Sequence, residues 1–213
     1  MGRELFVVRP RSLERIILTL FGLMALGWVY TAVAGRILDS ALLEAVKAGN
    51  TSRAEIVLKR GAQIEATERE NDANWREGDF TPLAVAVARD DKRMVKMLLE
   101  HGANPNATTH ADGALPARDI VLGTAAENGD VEVIRLLLTA GGQVNARSGM
   151  GVTPIMLAAR DNHAAAVRFL IGQGADVNAK DERGFSPLSF ATGISHPNHD
   201  AVLQILRGAG AKS

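Results

Sequence analysis

The stretch GADVNAKDERGFSPL, residues 174–188, contains the end of one sequence unit and the beginning of the next. The ending has the form GA-x-VNA, and the beginning has the form D-x-x-G-x-S/T-P. Variants of the ending occur at 61–66, 102–107 and 141–146, and a truncated GAK follows at 210–212. The spacing of 33 to 41 residues predicts a repeat architecture, because one unit cannot bury its own apolar face and a stack of units buries a continuous core.

Each unit carries the signals of two helices. The beginning combines a Thr or Ser N-cap with a proline in the first turn, where a missing N–H costs no hydrogen bond. Apolar residues spaced i, i+3, i+4, such as Val95, Leu98 and Leu99, indicate a second helix with one buried stripe. The glycine of the ending then follows as a left-handed C-terminal residue. Clear beginnings are TPLAVAVA at 81–88, TPIMLAAR at 153–160 and SPLSFATG at 186–193.

With these motifs, residues 38–213 resemble an ankyrin-repeat protein. The resemblance implies an all-α repeat solenoid in which a β-hairpin or turn precedes two antiparallel helices. In the third copy IVLGTAAE, residues 120–127, replaces the Thr-Pro beginning, so we expect a locally irregular first helix there. The five repeats would span about 38–66, 79–107, 115–146, 147–179 and 180–213.

The N-terminal part of the chain has a different composition. Residues 1–15 form a basic segment with four arginines, and residues 16–35 contain no charged side chain. As a helix rising ~1.5 Å per residue, the second stretch is long enough to cross the ~30 Å hydrocarbon core of a bilayer. It predicts one transmembrane helix before the repeats. The preceding arginines predict a single-pass protein of the inner (cytoplasmic) membrane, with a cytoplasmic N-terminus and periplasmic repeats.

Other interpretations of this segment stay open. Ala32-Val33-Ala34 also has the form of a signal-peptidase site, so 16–35 could be the apolar region of a cleaved signal, which leaves a soluble periplasmic protein. A buried hydrophobic helix and a eukaryotic protein with the opposite orientation are further alternatives.

Composition and motifs argue against several function classes. The chain has no cysteine, and beyond residue 35 it is slightly acidic, without the basic surface that nucleic acids require. His196 and His199 have the spacing of two metal ligands, but no acidic cluster completes a site. Since no catalytic or phosphate-binding motif occurs, we expect no enzyme activity, no metal, no cofactor and no small-molecule substrate.

The resemblance implies that hairpin tips and the exposed sides of the first helices bind a partner. Trp75 is also a candidate binding residue, because it lies in a polar insertion, 67–79, and tryptophan is frequent among interface hot spots. The set has no dominant charge, which favours a protein partner. The implied residues are Phe80, Arg89, Glu127, Asn128, Met150, Val152, Arg160, Asp161, Glu182, Arg183 and Phe185.

The predicted function is therefore a membrane-tethered scaffold or adaptor that binds a protein on its concave surface. The alternative is a membrane-held inhibitor or immunity factor against a secreted or periplasmic toxin or hydrolase.

Overall fold

The computed structural model describes residues 34–67, 80–107, 120–193 and 200–212, and the regular structure in these ranges is helical, without strands. The segment predicted to cross the membrane lies outside these ranges except for its last two residues. Within them, no helix combines the length and apolar character that a bilayer crossing needs. The helices are α1 (34–47), α2 (Thr51–Lys59), α3 (Pro82–Ala88), α4 (Lys92–Glu100), α5 (Val121–Asn128), α6 (Val131–Thr139), α7 (Pro154–Arg160), α8 (Ala164–Gly172), α9 (Pro187–Thr192) and α10 (Asp200–Gly208).

The helices form two packed layers. α3, α5, α7 and α9 each contact the helix that follows them in the chain, and they also contact one another in sequence order. The second helices, α2, α4, α6, α8 and α10, stack in the same order. The predicted arrangement of stacked helix pairs is therefore confirmed.

The first helices begin where the sequence predicts. Pro82, Pro154 and Pro187 are the first residues of α3, α7 and α9. The hydroxyl of the preceding residue caps α3, where Thr81 Oγ1 accepts from Ala84 N at 3.3 Å. Ser186 caps α9 in the same way. The predicted N-caps are thus confirmed for these two helices, whereas Thr153 Oγ1 is buried without a hydrogen-bond partner among the described residues.

The second helices also end as predicted. The glycine that opens each GA-x-VNA variant has a positive φ, between 87° and 100°, in all five copies. Only glycine adopts this conformation without strain, so this residue ends the helix and turns the chain toward the next copy.

The expectation of an irregular first helix in the third copy is wrong. α5 has eight residues, one more than α3 or α7, although Ile120 at its N-cap makes no side-chain cap. Tight packing compensates for the missing cap, because one whole side of α5 is buried. Gly123 permits this packing, since a Cβ there would lie only 2.9 Å from Ile120 Cγ1 and 3.1 Å from Leu157 Cδ1.

The core is aliphatic and runs through all the helix layers. Alanines that are almost completely buried on the first helices, Ala86, Ala125, Ala158 and Ala191, let neighbouring copies approach closely. Burying one leucine of the second helices contributes about 1.5–3 kcal/mol relative to exposure. These fully buried leucines include Leu98, Leu137, Leu170 and Leu206.

A ladder of asparagines connects successive copies. Asn145 of the VNA motif donates through Nδ2 to Gly174 O at 3.1 Å, and its Oδ1 accepts from Asp176 N at 2.8 Å. Asn106 and Asn178 make the same two bonds to the copies that follow them. The first copy has Glu65 at this position, and its carboxylate accepts from Asn104 N at 2.7 Å.

The first helix differs from its counterparts. Ser40 corresponds to the N-cap residue Thr81, yet it lies inside α1, which continues back to residue 34. Asp39, within this extension, accepts through Oδ1 from Gln63 N at 2.8 Å. Residues 34–39 are therefore a helical connection between the uncharged segment and the repeats.

Candidate protein-binding surface

Two tight turns project from the starts of α7 and α9. In the first turn Ser148 N donates to Val152 O at 2.9 Å, and Ser148 Oγ accepts from Val152 N at 3.1 Å. In the second turn Asp181 N donates to Phe185 O at 2.9 Å, and Asp181 Oδ1 accepts from Phe185 N at 2.8 Å. Ser148 and Asp181 thus have the same role one repeat apart, and each fixes the shape of its turn.

The two turns are also bonded to each other. Glu182 N donates to Met150 O at 3.0 Å, and the Arg147 guanidinium donates to Lys180 O. A continuous, hydrogen-bonded ridge therefore borders the first-helix side of the last two copies.

A groove lies between this ridge and the first helices. Its floor is a small apolar cluster formed by Val152, Met156, Leu157 and Ala179, with Met150 and Phe190 packed on it. The cavity above the floor has a volume of about 250 Å³. The residues that line the cavity, floor included, are Ile120, Glu127, Ser148, Met150, Val152, Leu157, Arg160, Arg183 and Phe190.

The charges along the groove are held in pairs. Arg160 donates to Asp161 Oδ1 through Nε at 3.0 Å and to Oδ2 through Nη2 at 2.8 Å, and it also donates to Glu127 Oε1. These two carboxylates, Asp161 above all, raise the pKa of Arg160 above its ordinary value. The guanidinium is therefore always charged, but two acids already neutralise it.

A second cationic group lies on the ridge. The Arg183 guanidinium lies 5.2 Å from the centre of the Phe185 ring and 3.3 Å from Asp181 Oδ2. Phe185 is 46% exposed, so the ring and the guanidinium form an accessible edge of the groove.

The other sequence-predicted residues lie apart from this groove or pack inward. Phe80 is 36% exposed and Arg89 lies at the exposed end of α3, both in the second copy. Asn128 is exposed, but its Nδ2 donates to Val87 O at 3.1 Å and ties α5 to α3. Trp75 lies outside the described residues.

Val152 is buried, contrary to the prediction that its side chain contacts a partner. It is only 6% exposed, because it is part of the groove floor, so its side chain supports the surface from below. The sequence reasoning missed Ser148, Ile120, Leu157 and Phe190. The repeat spacing could have indicated two of them, since Leu157 and Phe190 are 33 residues apart and occupy equivalent positions of α7 and α9.

The described histidines have structural partners. His101 Nδ1 lies 2.9 Å from Met97 O at the end of α4, and His163 Nε2 lies 2.7 Å from Glu127 O. In the described ranges, no three His, Asp or Glu side chains are grouped as metal ligands would be. His196 and His199 lie outside those ranges.

Comparison with known families agrees with the helix pairs and turns. A model described as "Ankyrin repeats (3 copies)" matches residues 122–212, and one described as "Ankyrin repeat" matches residues 78–110. Together they cover more than half of the chain. This chain is an ankyrin-repeat protein. Both matches begin after the first predicted repeat, 38–66, so the number of five repeats stays a prediction.

The ankyrin repeats are similar to those of proteins from distant organisms. The chain is 32% identical over 119 residues to the mouse B-cell lymphoma 3 protein homolog, covering 56% of this chain and 24% of that protein. It is 32% identical over 127 residues to human ankyrin repeat domain-containing protein 63, covering 58% and 30%. It is 38% identical over 80 residues to the putative ankyrin repeat protein FPV014 of Fowlpox virus (strain NVSL), covering 38% and 17%.

The chain thus spans less than a third of each of these relatives. Ankyrin repeats are modules for protein–protein interaction, and this property is what the comparisons imply for the chain.

Proposed function

We propose that the chain is a membrane-tethered adaptor that holds a protein partner in the groove between the turns at 148–152 and 181–185 and the helices α5, α7 and α9. The observation that carries this proposal is the groove itself, which has an apolar floor, a hydrogen-bonded ridge and paired charges. These features are fixed before a partner arrives, so little ordering entropy opposes binding.

The groove fits a segment of polypeptide better than a small anion. Its volume of about 250 Å³ accommodates one or two apolar side chains over Met150 and Phe190. Arg160 already has two carboxylate partners, so an isolated anion would have to compete with Glu127 and Asp161. Backbone amides and mixed charges of a peptide would instead meet donors and acceptors of both kinds along the walls.

The tether is proposed from the sequence of residues 16–35 and from the continuity of α1. The helical connection at 34–39 leaves no loop between the uncharged segment and the first copy. With the arginines of residues 1–15 retained in the cytoplasm, the repeats would lie on the periplasmic side of the inner membrane. A cleaved signal would instead release the same repeats into the periplasm.

Site-specific photocrosslinking tests the binding surface. A photoreactive amino acid replaces Met150 in the groove, and Arg168, exposed on α8, carries it in the matched control. We expect the Met150 variant to give one discrete crosslinked protein that the Arg168 variant does not give. Equal crosslinking from both positions would show that the groove has no special role.

The identity of the crosslinked protein separates the two functions that the sequence allows. A resident envelope protein that loses its location when the chain is deleted fits the adaptor. A crosslinked toxin or hydrolase fits the inhibitor. In that case deleting the chain should be harmless until the toxin or hydrolase is present.

Protease accessibility of a C-terminally tagged chain in spheroplasts tests the tether. Digestion from outside, starting from a product of full mass, is the result expected for an anchored array that faces outward. Protection from the protease would contradict the proposed orientation, and a product shortened by about 34 residues would indicate a cleaved signal.

A further inference from the structure

The two ends of the array differ in the large apolar side chains that they expose. Four large apolar side chains are exposed in the described residues: Ile37, Ile56, Phe80 and Phe185. Two of them, Ile37 at 63% and Ile56 at 52%, lie on the first helix pair, whereas α10 at the other end exposes none. The terminal copies of a soluble solenoid normally carry a polar outer face, so the first pair requires an explanation.

The position of Ile56 shows which way it faces. Counted from the glycine that ends each second helix, it corresponds to Met97, Leu136, Phe169 and Ile205. Phe169 packs beneath the Arg135 guanidinium of the preceding copy, 4.6 Å from the ring centre. This position therefore faces the preceding copy, and Ile56 is exposed because the described residues contain no earlier copy to cover it.

Ile37 and Ile56 both lie toward one end of the first helix pair. The hydrogen bond from Gln63 N to Asp39 Oδ1 holds the beginning of α1 beside the loop after α2. Ile37 lies near that beginning, and Ile56 lies near the end of α2. Both residues therefore lie at the end of the pair closest to residue 35, where the uncharged segment ends, and this end is one corner of the array.

Basic side chains surround this apolar pair. Arg36 adjoins Ile37, and Arg53 and Arg60 lie one turn on either side of Ile56; all three are exposed. None of the three has an ion-pair partner among the described residues, in contrast to Lys59, which pairs with Glu55 at 2.7 Å. Exposed apolar groups ringed by unpaired cations are typical of surfaces that lie on anionic lipid, where each Lys or Arg contributes about 1 kcal/mol.

We propose that this membrane-facing corner, defined as Arg36, Ile37, Arg53, Ile56 and Arg60, lies on the anionic phospholipid headgroups of the bilayer. The proposal rests on the proposed membrane tether. Arg36 directly follows the uncharged segment, so a bilayer crossed by that segment is the surface closest to the corner. This contact would hold the array in one orientation and present the groove to proteins in the periplasm.

Fluorescence quenching in nanodiscs tests the contact with the full chain. The chain has no cysteine, so a single Ile56→Cys carries an environment-sensitive fluorophore, and Gln204→Cys, exposed on α10, is the control. The nanodiscs contain phosphatidylcholine alone or an equal mixture with phosphatidylglycerol, and both include a lipid with a quencher near its headgroup. We expect about twofold stronger quenching at position 56 with phosphatidylglycerol and none at position 204.

Charge reversal identifies the cause of the quenching. Replacing Arg36, Arg53 and Arg60 together by Glu should reduce the quenching in the mixed nanodiscs to its level in phosphatidylcholine. The matched control reverses Arg93, Lys96 and Arg168, which are exposed on α4 and α8, and should leave the quenching unchanged. The proposal would be overturned if the quenching at position 56 changed neither with phosphatidylglycerol nor with the charge reversal.

The same preparation separates this inference from the tether. A chain that fails to co-purify with nanodiscs would disprove the tether and with it the inference. A chain that inserts, but whose label at position 56 is not quenched, would disprove the membrane-facing corner alone. Disulfide-linked dimers of the unlabelled Ile56→Cys chain without lipid quenching would assign the corner to a second copy, which also overturns the proposal.

Discussion

Asp90 and Asp130 shift each other's pKa at the junction of the second and third copies. The hydrogen bond to Asp130 and partial burial raise the pKa of Asp90 above its ordinary value. Burial opposes ionisation of Asp130, but its hydrogen bonds with Lys92 and Asp90 hold the pKa of Asp130 below the ordinary value. Asp130 is therefore the charged member, supported by Lys92 Nζ at 2.7 Å, and Asp90 is the one that protonates first.

Asp90→Asn should stabilise the fold at neutral pH. Asn can donate to Asp130 without taking up a proton, and it tolerates the φ of +55° at this position. Because the site is exposed to solvent, we expect a gain of roughly 0.5 kcal/mol or less. Urea denaturation followed by circular dichroism measures it.

The stability advantage of Asp90→Asn over the wild type should depend on pH. Folding favours the protonated form of Asp90, so the wild-type interaction strengthens as the pH falls through the raised pKa. The difference between variant and wild type should therefore disappear in acid. If the difference in unfolding free energy grew on acidification, the proton would not be on Asp90. Glu44→Gln, exposed on α1, is the control.

Gly129 and Gly172 give opposite predictions for the same substitution. At Gly129 φ is +74°, and a Cβ would lie 2.4 Å from His163 Nδ1, so Gly129→Ala should cost about 1–3 kcal/mol. Gly172 is helical with open space around its Cβ position, so Gly172→Ala should stabilise by about 0.5–1 kcal/mol. Equal effects in thermal melts would contradict both assignments.

The turns after the second helices depend on the asparagine ladder. Asn serves this position because one side chain can donate to a carbonyl and accept from an N–H of the next copy at once. Glu65 in the first copy can accept but cannot donate while ionised.

Asn145→Ala should destabilise the fold by about 1–2 kcal/mol, because two hydrogen bonds to the fourth copy are lost. Glu65→Asn should have the opposite sign, since it permits the missing donation toward Gly102 O. Urea denaturation of both variants against wild type measures this. A stabilising Asn145→Ala would mean that the ladder makes no net contribution.

The regular α5 shows where local signals are insufficient. The absence of Thr-Pro predicts a poor helix start, yet the helix forms because its apolar side is buried between α3 and α7. Packing against neighbours overrides local propensity in helices this short, which are unstable alone.

Stacking makes each end of the array a special case. Counted from the terminal glycine, Arg207 of α10 occupies the position of Leu58, Leu99, Leu138 and Ile171 in earlier copies. Those apolar residues are partly buried, whereas Arg207 is exposed. The C-terminal end of the array therefore presents a charged side chain at this position.

Deleting residues 180–213 should therefore cause aggregation, because it uncovers the apolar sides of α7 and α8. Adding Ile171→Arg to the truncated chain should reduce the aggregation, since it restores a charge at the new end. Light scattering of the two truncated chains measures the effect. A soluble, fully folded truncation without Ile171→Arg would disprove the capping role of the last copy.

The groove combines predictable and unpredictable parts. The turn at 148–152 and the turn at 181–185 follow from the resemblance to ankyrin repeats, as do most of the binding residues expected on them. The pairing of Arg160 with Glu127, 33 residues earlier, and the inward position of Val152 follow from how adjacent copies stack. No pattern within a single repeat contains that information.

Sequence alone was sufficient for the helix pairs, for the N-caps Thr81 and Ser186 and for the terminal glycines, because caps, left-handed residues and a 3.6-residue period act within a few residues of the chain. Contacts between copies required the folded array. Whether Ile56 is covered, whether Arg160 is neutralised and whether α1 continues past Ser40 depend on what lies beside them in space. Those neighbours are about one repeat away in sequence, and only packing brings them together.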